Sequence, residues 1–189
     1  SELLQAMRDN DLRGCERLLA DQPELAGIKD EDGNSPLLLS VYWNKPEFTA
    51  CLLGTGVEVS FFEACAAGLL DGVERMLRER PELVRQTSHD GWTALHLAAF
   101  FGHREIARRL LEAGGELLIV SRNAEGALPI RSAAAGGRKE LVLLLIEHGC
   151  PPDARSSDTD YTALQVAVES GNTELAAALI AAGADPAAI

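Results

Sequence analysis

HDGWTALHLAAFFGHREIARRLLEAGGE, residues 89–116, decides the fold. It opens on a turn at Asp90-Gly91, enters an apolar helix, breaks at Gly102, runs through a second helix and stops at Gly114-Gly115. Weaker copies recur along the whole chain. Aligned on the residue between the two helices, they bring Asn10, Asn44, Gly68, Gly102, Gly137 and Gly171 into register, at spacings of 34, 24, 34, 35 and 34. A sharp turn there calls for φ > 0, which Gly adopts freely and Asn tolerates best of the rest. A period of this size implies stacked two-helix units. Such stacks offer long binding surfaces and seldom build a catalytic pocket.

Two further positions keep the register. Eight and nine residues past the turn stand the apolar pairs Leu18-Leu19, Leu52-Leu53, Met76-Leu77, Leu110-Leu111, Leu145-Ile146 and Leu179-Ile180, expected as the buried face of the second helix. Four residues before the turn stand Ala6, Ser40, Ala64, Ala98, Ala133 and Ala167, small enough to let helices approach closely. Helices of roughly eight to ten residues are expected, at the short end of globular lengths. Strand-like alternation is absent.

SPLL at 35–38, TALHLAA at 93–99, LPIRSAA at 128–134 and TALQVAV at 162–168 resemble the T-P-L-H-x-A signature of the ankyrin repeat. LLEAGGE at 110–116, LIEHGCP at 145–151 and LIAAGADP at 179–186 resemble the family's L-L-x-x-G-A-D. The chain as a whole is similar to small bacterial ankyrin-repeat proteins. The resemblance implies an all-α ankyrin-repeat solenoid of about six stacked helix-turn-helix units with hairpin loops, a single domain over 1–189. Its units run approximately 1–28, 29–59, 60–84, 85–118, 119–153 and 154–189. Local chemistry agrees. Thr93 and Thr162 are suited to cap first helices, Pro36 fits a first helical position, and Asp32-Gly33 and Asp90-Gly91 are turn signals at hairpin tips. The resemblance also implies a structural role for His96, its ring bonding between neighbouring loops.

Two departures stand out. The first unit has no hairpin loop and reads as an N-terminal cap. The third has lost about ten residues, those of its hairpin loop, so that Val59-Ser60-Phe61-Phe62 leads straight into helix. Units 1–2 also map onto units 3–4 at an offset of 58: Pro23-Glu24-Leu25 on Pro81-Glu82-Leu83, Asp32-Gly33 on Asp90-Gly91, Tyr42-Trp43 on Phe100-Phe101. Duplication of a two-unit block accounts for this.

A net charge of −12 argues against nucleic acid, which needs clustered Lys and Arg. Arg104, Arg108, Arg109 and Arg138-Lys139 alternate with Glu or apolar residues, as on a solvated outer face. Cys15, Cys51, Cys65 and Cys150 show no ligand spacing with each other or with the histidines, so no metal site is expected. The first three fall at apolar helix positions, which predicts buried free thiols and a reducing, cytoplasmic compartment. His103 reads as a local hydrogen-bond donor and His148 as a helix C-terminal residue. His89, at a loop tip, is the one placed to meet a partner. No nucleophile elbow and no Gly-rich phosphate loop occurs. No catalytic residue, cofactor or small-molecule substrate is assigned. No apolar stretch approaches the ~20 residues that span a bilayer.

What remains is a binding surface. The two residues before the turn end each first helix, and in ankyrin stacks partners meet these ends and the hairpin tips. Tyr42, Trp43, Phe100 and Phe101 occupy such ends, while Asn34, Trp92 and Tyr161 follow the loop tips. Six of the nine aromatics are thus expected on one face, as at a contact site. The competing reading makes some of them filler for the missing loop of the third unit. With Ala66 and Ala67 between the two aromatic pairs, roughly 20 Å apart by helix packing, the expectation is an apolar groove wide enough for a helix. Acidic residues flank it: Asp30, Glu31 and Asp32, Asp90 beside Trp92, then Asp158 and Asp160. The expected function is an intracellular protein-binding module, acting as a monomer on an apolar partner segment with basic flanks. A regulatory or inhibitory subunit docking on an enzyme is the alternative, and an enzyme the remote one.

Overall fold

The turn residue organises the backbone as its type demands. All six register positions are left-handed, with φ of 59° at Asn10, 52° at Asn44, 79° at Gly68, 89° at Gly102, 68° at Gly137 and 70° at Gly171. The structure, a computed structural model, describes residues 1–156 and 159–188. Asp158, counted above among the acidic tips, lies outside them.

Around these turns the described residues form twelve α-helices in pairs: α1 (Glu2–Arg8) with α2 (Leu12–Asp21), α3 (Pro36–Tyr42) with α4 (Pro46–Gly54), α5 (Phe61–Ala67) with α6 (Leu70–Glu79), α7 (Ala94–Phe101) with α8 (Arg104–Glu112), α9 (Pro129–Ala135) with α10 (Lys139–Glu147), and α11 (Ala163–Glu169) with α12 (Thr173–Ala181). First helices run seven or eight residues and second helices nine or ten, so the former are shorter than the sequence suggested. Single 3-10 turns follow α2 at Pro23–Gly27 and α6 at Pro81–Arg85, the two Pro-Glu-Leu segments that match at an offset of 58. Loops precede the second, fourth, fifth and sixth repeats. Before Phe61 there is a turn at Thr55-Gly56 and four residues without regular structure, with no hairpin. Among the described residues the loops pair only as an isolated bridge, Thr87 with Thr93.

The first helices start where capping chemistry places them. Ser35, Thr93 and Thr162 each accept a hydrogen bond from the backbone N–H three residues on, and Pro36 occupies the first turn of α3. Gln165 returns the bond to Thr162 N–H, completing a capping box.

The chain divides into two compact blocks, 1–63 and 64–189. In the first, Leu3, Met7, Cys15, Phe48 and Leu52 close a core between α1–α2 and α3–α4, with Trp43 and Cys51 packed against it. In the second, α7, α9 and α11 form one row and α6, α8, α10 and α12 another. Ala98, Ala133 and Ala167 are fully buried where first helices meet, and Leu110, Leu145 and Leu179 are fully buried along the second helices. Ser40 and Ala64 are buried at the same register position, while Ala6, in the terminal repeat, is half-buried.

The apolar pairs divide, contrary to the expectation that both members bury. Leu52, Met76, Leu110, Leu145 and Leu179 are buried, but Leu53, Leu77, Leu111 and Ile146 are half-buried and Ile180 is 41% exposed. In the first repeat the order reverses, Leu19 buried and Leu18 half-buried. Adjacent residues on a helix point about 100° apart, so a short helix lying on one layer buries one member and turns the other towards the edge.

The thiols are free, with Cys15, Cys65 and Cys150 buried and Cys51 only half-buried. Burial pushes Cys15 up to about 12, with Cys51 beside it adding to the effect, and Cys150 up to about 11. It also raises Cys65 and Cys51.

Two outcomes follow. Leu110→Ala removes a fully buried side chain and should cost ~2–5 kcal/mol in denaturant unfolding. Leu111→Ala, at a half-buried site, should cost clearly less, and equal costs would mean the register is wrong. A thiol reagent under native conditions should modify Cys51 first and Cys15, Cys65 and Cys150 slowly, read by mass spectrometry. Four equal rates without denaturant would contradict this burial.

Candidate protein-contact surface

The first helices carry one position, three residues past the cap, that in three repeats ties the repeat to its surroundings. Its occupants in repeats two to six are Leu38, Glu63, His96, Arg131 and Gln165. His96 is buried. Its Nδ1 lies 2.7 Å from the Thr93 hydroxyl and its Nε2 2.8 Å from the Ala127 carbonyl, in the loop of the next repeat. This is the loop-to-loop bond that the family resemblance implied. It requires a proton on Nε2, since a carbonyl only accepts. Arg131 makes the corresponding link with different atoms. Its guanidinium donates to the Thr159 hydroxyl and to the Glu125 carbonyl. Glu63 serves the repeat without a hairpin. Its carboxylate accepts from Ser60 N–H at 2.7 Å and from the Ser35 hydroxyl, while the Ser60 hydroxyl accepts from Glu63 N–H at 3.3 Å. Sequence reasoning passed over Glu63, although Ser-x-x-Glu before an apolar run is a capping-box signal.

A second tie comes from the residue just after the turn. Lys45 Nζ donates to the Met7 carbonyl at 2.6 Å, His103 Nε2 to the Ala66 carbonyl at 2.8 Å, and Arg138 Nε to the Phe100 carbonyl at 3.0 Å. His103 is therefore not a local donor: it spans 37 residues to the preceding repeat. Its ring lies so close over Gly68 that a Cβ there would come within 2.7 Å of it. Gly68 is thus required both by its φ of 79° and by the ring above it. His148 Nδ1 lies 2.8 Å from the Leu144 carbonyl at the end of α10, as its position suggested.

The expected contact residues divide between the blocks. In the first, Asp32 is exposed, and Asn34 is held in the turn by Asp30, whose carboxylate accepts from Asn34 N–H at 2.8 Å. Tyr42 is 37% exposed. Trp43 is half-buried against the core, with the Arg8 guanidinium 5.8 Å from its ring centre. In the second block His89 is exposed at the tip, and the Asp90 carbonyl accepts from the Asn123 amide at 3.1 Å. Trp92 is half-buried, its ring 5.5 Å from His96. Phe100 is 40% exposed and meets the half-buried Phe101 edge to face at 5.1 Å. Tyr161 is half-buried, and its hydroxyl bonds the Glu169 carboxylate, which pushes the phenol above its ordinary range. Arg108 is paired with Glu105 and Glu112, and Arg109 with Glu74 at 2.9 Å, as a solvated outer face would have it. Among the described residues no His, Cys, Asp and Glu gather into a metal-holding group, and no helix is long and apolar enough to cross a membrane.

The repeat geometry agrees with comparison to known proteins. A family profile described as ankyrin repeats (3 copies) matches residues 3–119, 61–156 and 116–189. The chain belongs to the ankyrin-repeat family. Ankyrin repeats mediate protein–protein interaction, and that is the function class of this chain. It is similar to the probable 26S proteasome regulatory subunit p28 of Saccharomyces cerevisiae, 29% identical over 94% of this chain and 83% of that protein. It is 28% identical to the probable E3 ubiquitin-protein ligase XBOS32 of Oryza sativa subsp. japonica, covering 78% of this chain but 37% of that one. It is 37% identical to the NAD-capped RNA hydrolase NUDT12 of Macaca fascicularis over 47% of this chain and 19% of that protein. In the last two the ankyrin-like stretch is a minor part of a longer chain.

The buried ring of His96 makes ankyrin stability depend on pH. Desolvation by burial lowers its pKa from 6.5 to about 4, outweighing the Ala127 bond that favours the charged form. Burial lowers His103 as well. The unfolded chain therefore binds more protons between these values. Stability is fully present above pH 6.5 and falls as the pH drops towards 4, by up to about 3 kcal/mol for His96. His96→Gln keeps a donor and cannot titrate. The difference in unfolding free energy between it and the parent should shrink or reverse as pH falls from 7 to 4. A constant difference would contradict the linkage.

Proposed function

We propose that this ankyrin-repeat chain holds a partner protein on its hairpin tips and first-helix ends. The observation that carries the reading is a pair of rings at one register position. Tyr42 and Phe100, 58 residues apart in sequence and two before their turns, are 37% and 40% exposed. An exposed aromatic repeated at one position is what a contact face requires, since aromatic anchors carry much of interface energy. The proposed contact set is Asp32, Asn34, Tyr42 and Trp43 in the first block and His89, Asp90, Trp92, Phe100, Phe101 and Tyr161 in the second. The partner is an apolar segment with basic flanks, drawn by the acidic tips and by a net charge of −12. The free thiols suit a reducing cytoplasm, and we read the chain as a monomer without catalytic activity. Similarity to p28 over most of both chains fits either a plain binding module or a regulatory subunit docking on a larger assembly.

The test is binding to the native partner, isolated on the immobilised chain from its host and then purified. Phe100→Ala and Tyr42→Ala should each weaken it by more than ~1–2 kcal/mol while leaving the melting midpoint near the parent's. Asp32→Lys should act mainly on the association rate, with the effect fading as salt rises. Undiminished affinity in the double aromatic variant would place the contact surface elsewhere.

A further inference from the structure

Between the fifth and sixth repeats of the second block, α9 and α11 pack side by side beneath their loops and leave an open cleft of about 640 Å³. Its apolar floor includes Ala135 and Val166, and the Tyr161 ring borders it. Its rim is acidic: Glu125 from one loop, Asp160 from the next and Glu169 from the end of α11. Arg131 is the one cation among the lining residues, and its charge turns inward. Its side chain is only 11% exposed and is held by the Glu125 carbonyl and the Thr159 hydroxyl. The rim carboxylates stand outward, with Glu125 at 68% and Asp160 at 91% side-chain exposure. Arg155 pairs with Asp160 at 2.8 Å and Arg131 with Glu125 at 3.7 Å, leaving Glu169, whose charge the Tyr161 hydroxyl does not neutralise, to face an occupant.

This arrangement selects the chemistry of what enters. An acidic side chain would be repelled by the Glu169 carboxylate. A long basic one would lay its methylenes on Ala135 and Val166, bring its head to Glu169, and gain from the Tyr161 ring. Phe100 lies in the last turn of the neighbouring first helix, α7. Gly136, next to Ala135, lies so close that a Cβ on it would come within 2.1 Å of the Phe100 carbonyl oxygen. Neighbouring helices stand 8–10 Å apart, which an extended chain covers in about three residues.

Resting on the protein-binding reading above, we propose that this cleft seats one lysine or arginine side chain of the partner, with an apolar partner residue three positions away against Phe100. The proposal fixes one end of the contact and sets its polarity: the basic residue lies on the side of the sixth repeat, the apolar one on that of the fourth.

A random-peptide library displayed on phage and selected against the full chain tests this. Enriched peptides should pair an apolar residue with Lys or Arg three positions away. Binding of a synthetic enriched peptide should weaken about tenfold in Glu169→Gln and in Tyr161→Ala. Changing the peptide's basic residue to norleucine should weaken binding similarly and abolish sensitivity to Glu169→Gln. Glu125→Gln would break the Glu125–Arg131 ion pair as well, so Glu169→Gln carries the test should Tyr161→Ala lower the melting midpoint. Enrichment of acidic residues overturns the proposal. So do peptides that ignore Glu169→Gln but are lost with Phe100→Ala, and in that case the protein-binding reading survives. No enrichment over the bare support overturns both.

Discussion

A helix end leaves carbonyls without partners, and in this chain much of what joins repeat to repeat answers that need. Lys45, His103 and Arg138 each reach from one repeat to a carbonyl near the end of the preceding first helix. They arrive there because each follows a left-handed turn residue, which swings the chain back at a fixed angle. Three unrelated side chains perform the task, because what the site requires is a donor at the right reach. Burial then discriminates among them. The histidine loses basicity beneath its neighbours.

The position three past the helix cap shows the same economy. Where a hairpin loop follows, His96 extends to its Ala127 carbonyl and Arg131 to its Thr159 hydroxyl. Where the repeat lacks its own hairpin, Glu63 turns on the Ser60 and Ser35 groups instead. Each choice is consistent with the loop available to it, and the repeats vary in sequence without losing the fold. Because contacts run between neighbours, stability is close to a sum of local terms. A single buried leucine such as Leu110 or a single titrating ring such as His96 is therefore expected to register strongly.

The same geometry leaves the ends of the first helices to solvent except in the third repeat, where Ala66 is buried. The other residues two before the turn are open to selection by a partner. Phe100 and Tyr42 are exposed there, and Ala135 and Glu169 occupy the equivalent places further along. The change from ring to methyl to carboxylate along one row gives the face a direction, apolar at the fourth repeat and acidic at the sixth.

The repeat, its turns, its caps and the missing third hairpin were legible in the sequence, because each follows from a local rule. Left-handed φ selects Gly or Asn, a cap selects Ser or Thr, and a lost loop is a shorter spacing. Trp43, Leu111, Cys51 and His103 were not legible in the same way. Which member of an apolar pair is buried, whether a tryptophan rests on a core, and how far a histidine reaches depend on how a short helix is rotated against its neighbour. That rotation is settled by packing between residues more than 30 positions apart, and by no single repeat alone. The cleft of the fifth and sixth repeats belongs to the same class. Its floor, rim and inward-turned arginine come from two loops and two helices, and only the tertiary structure sets them around one space.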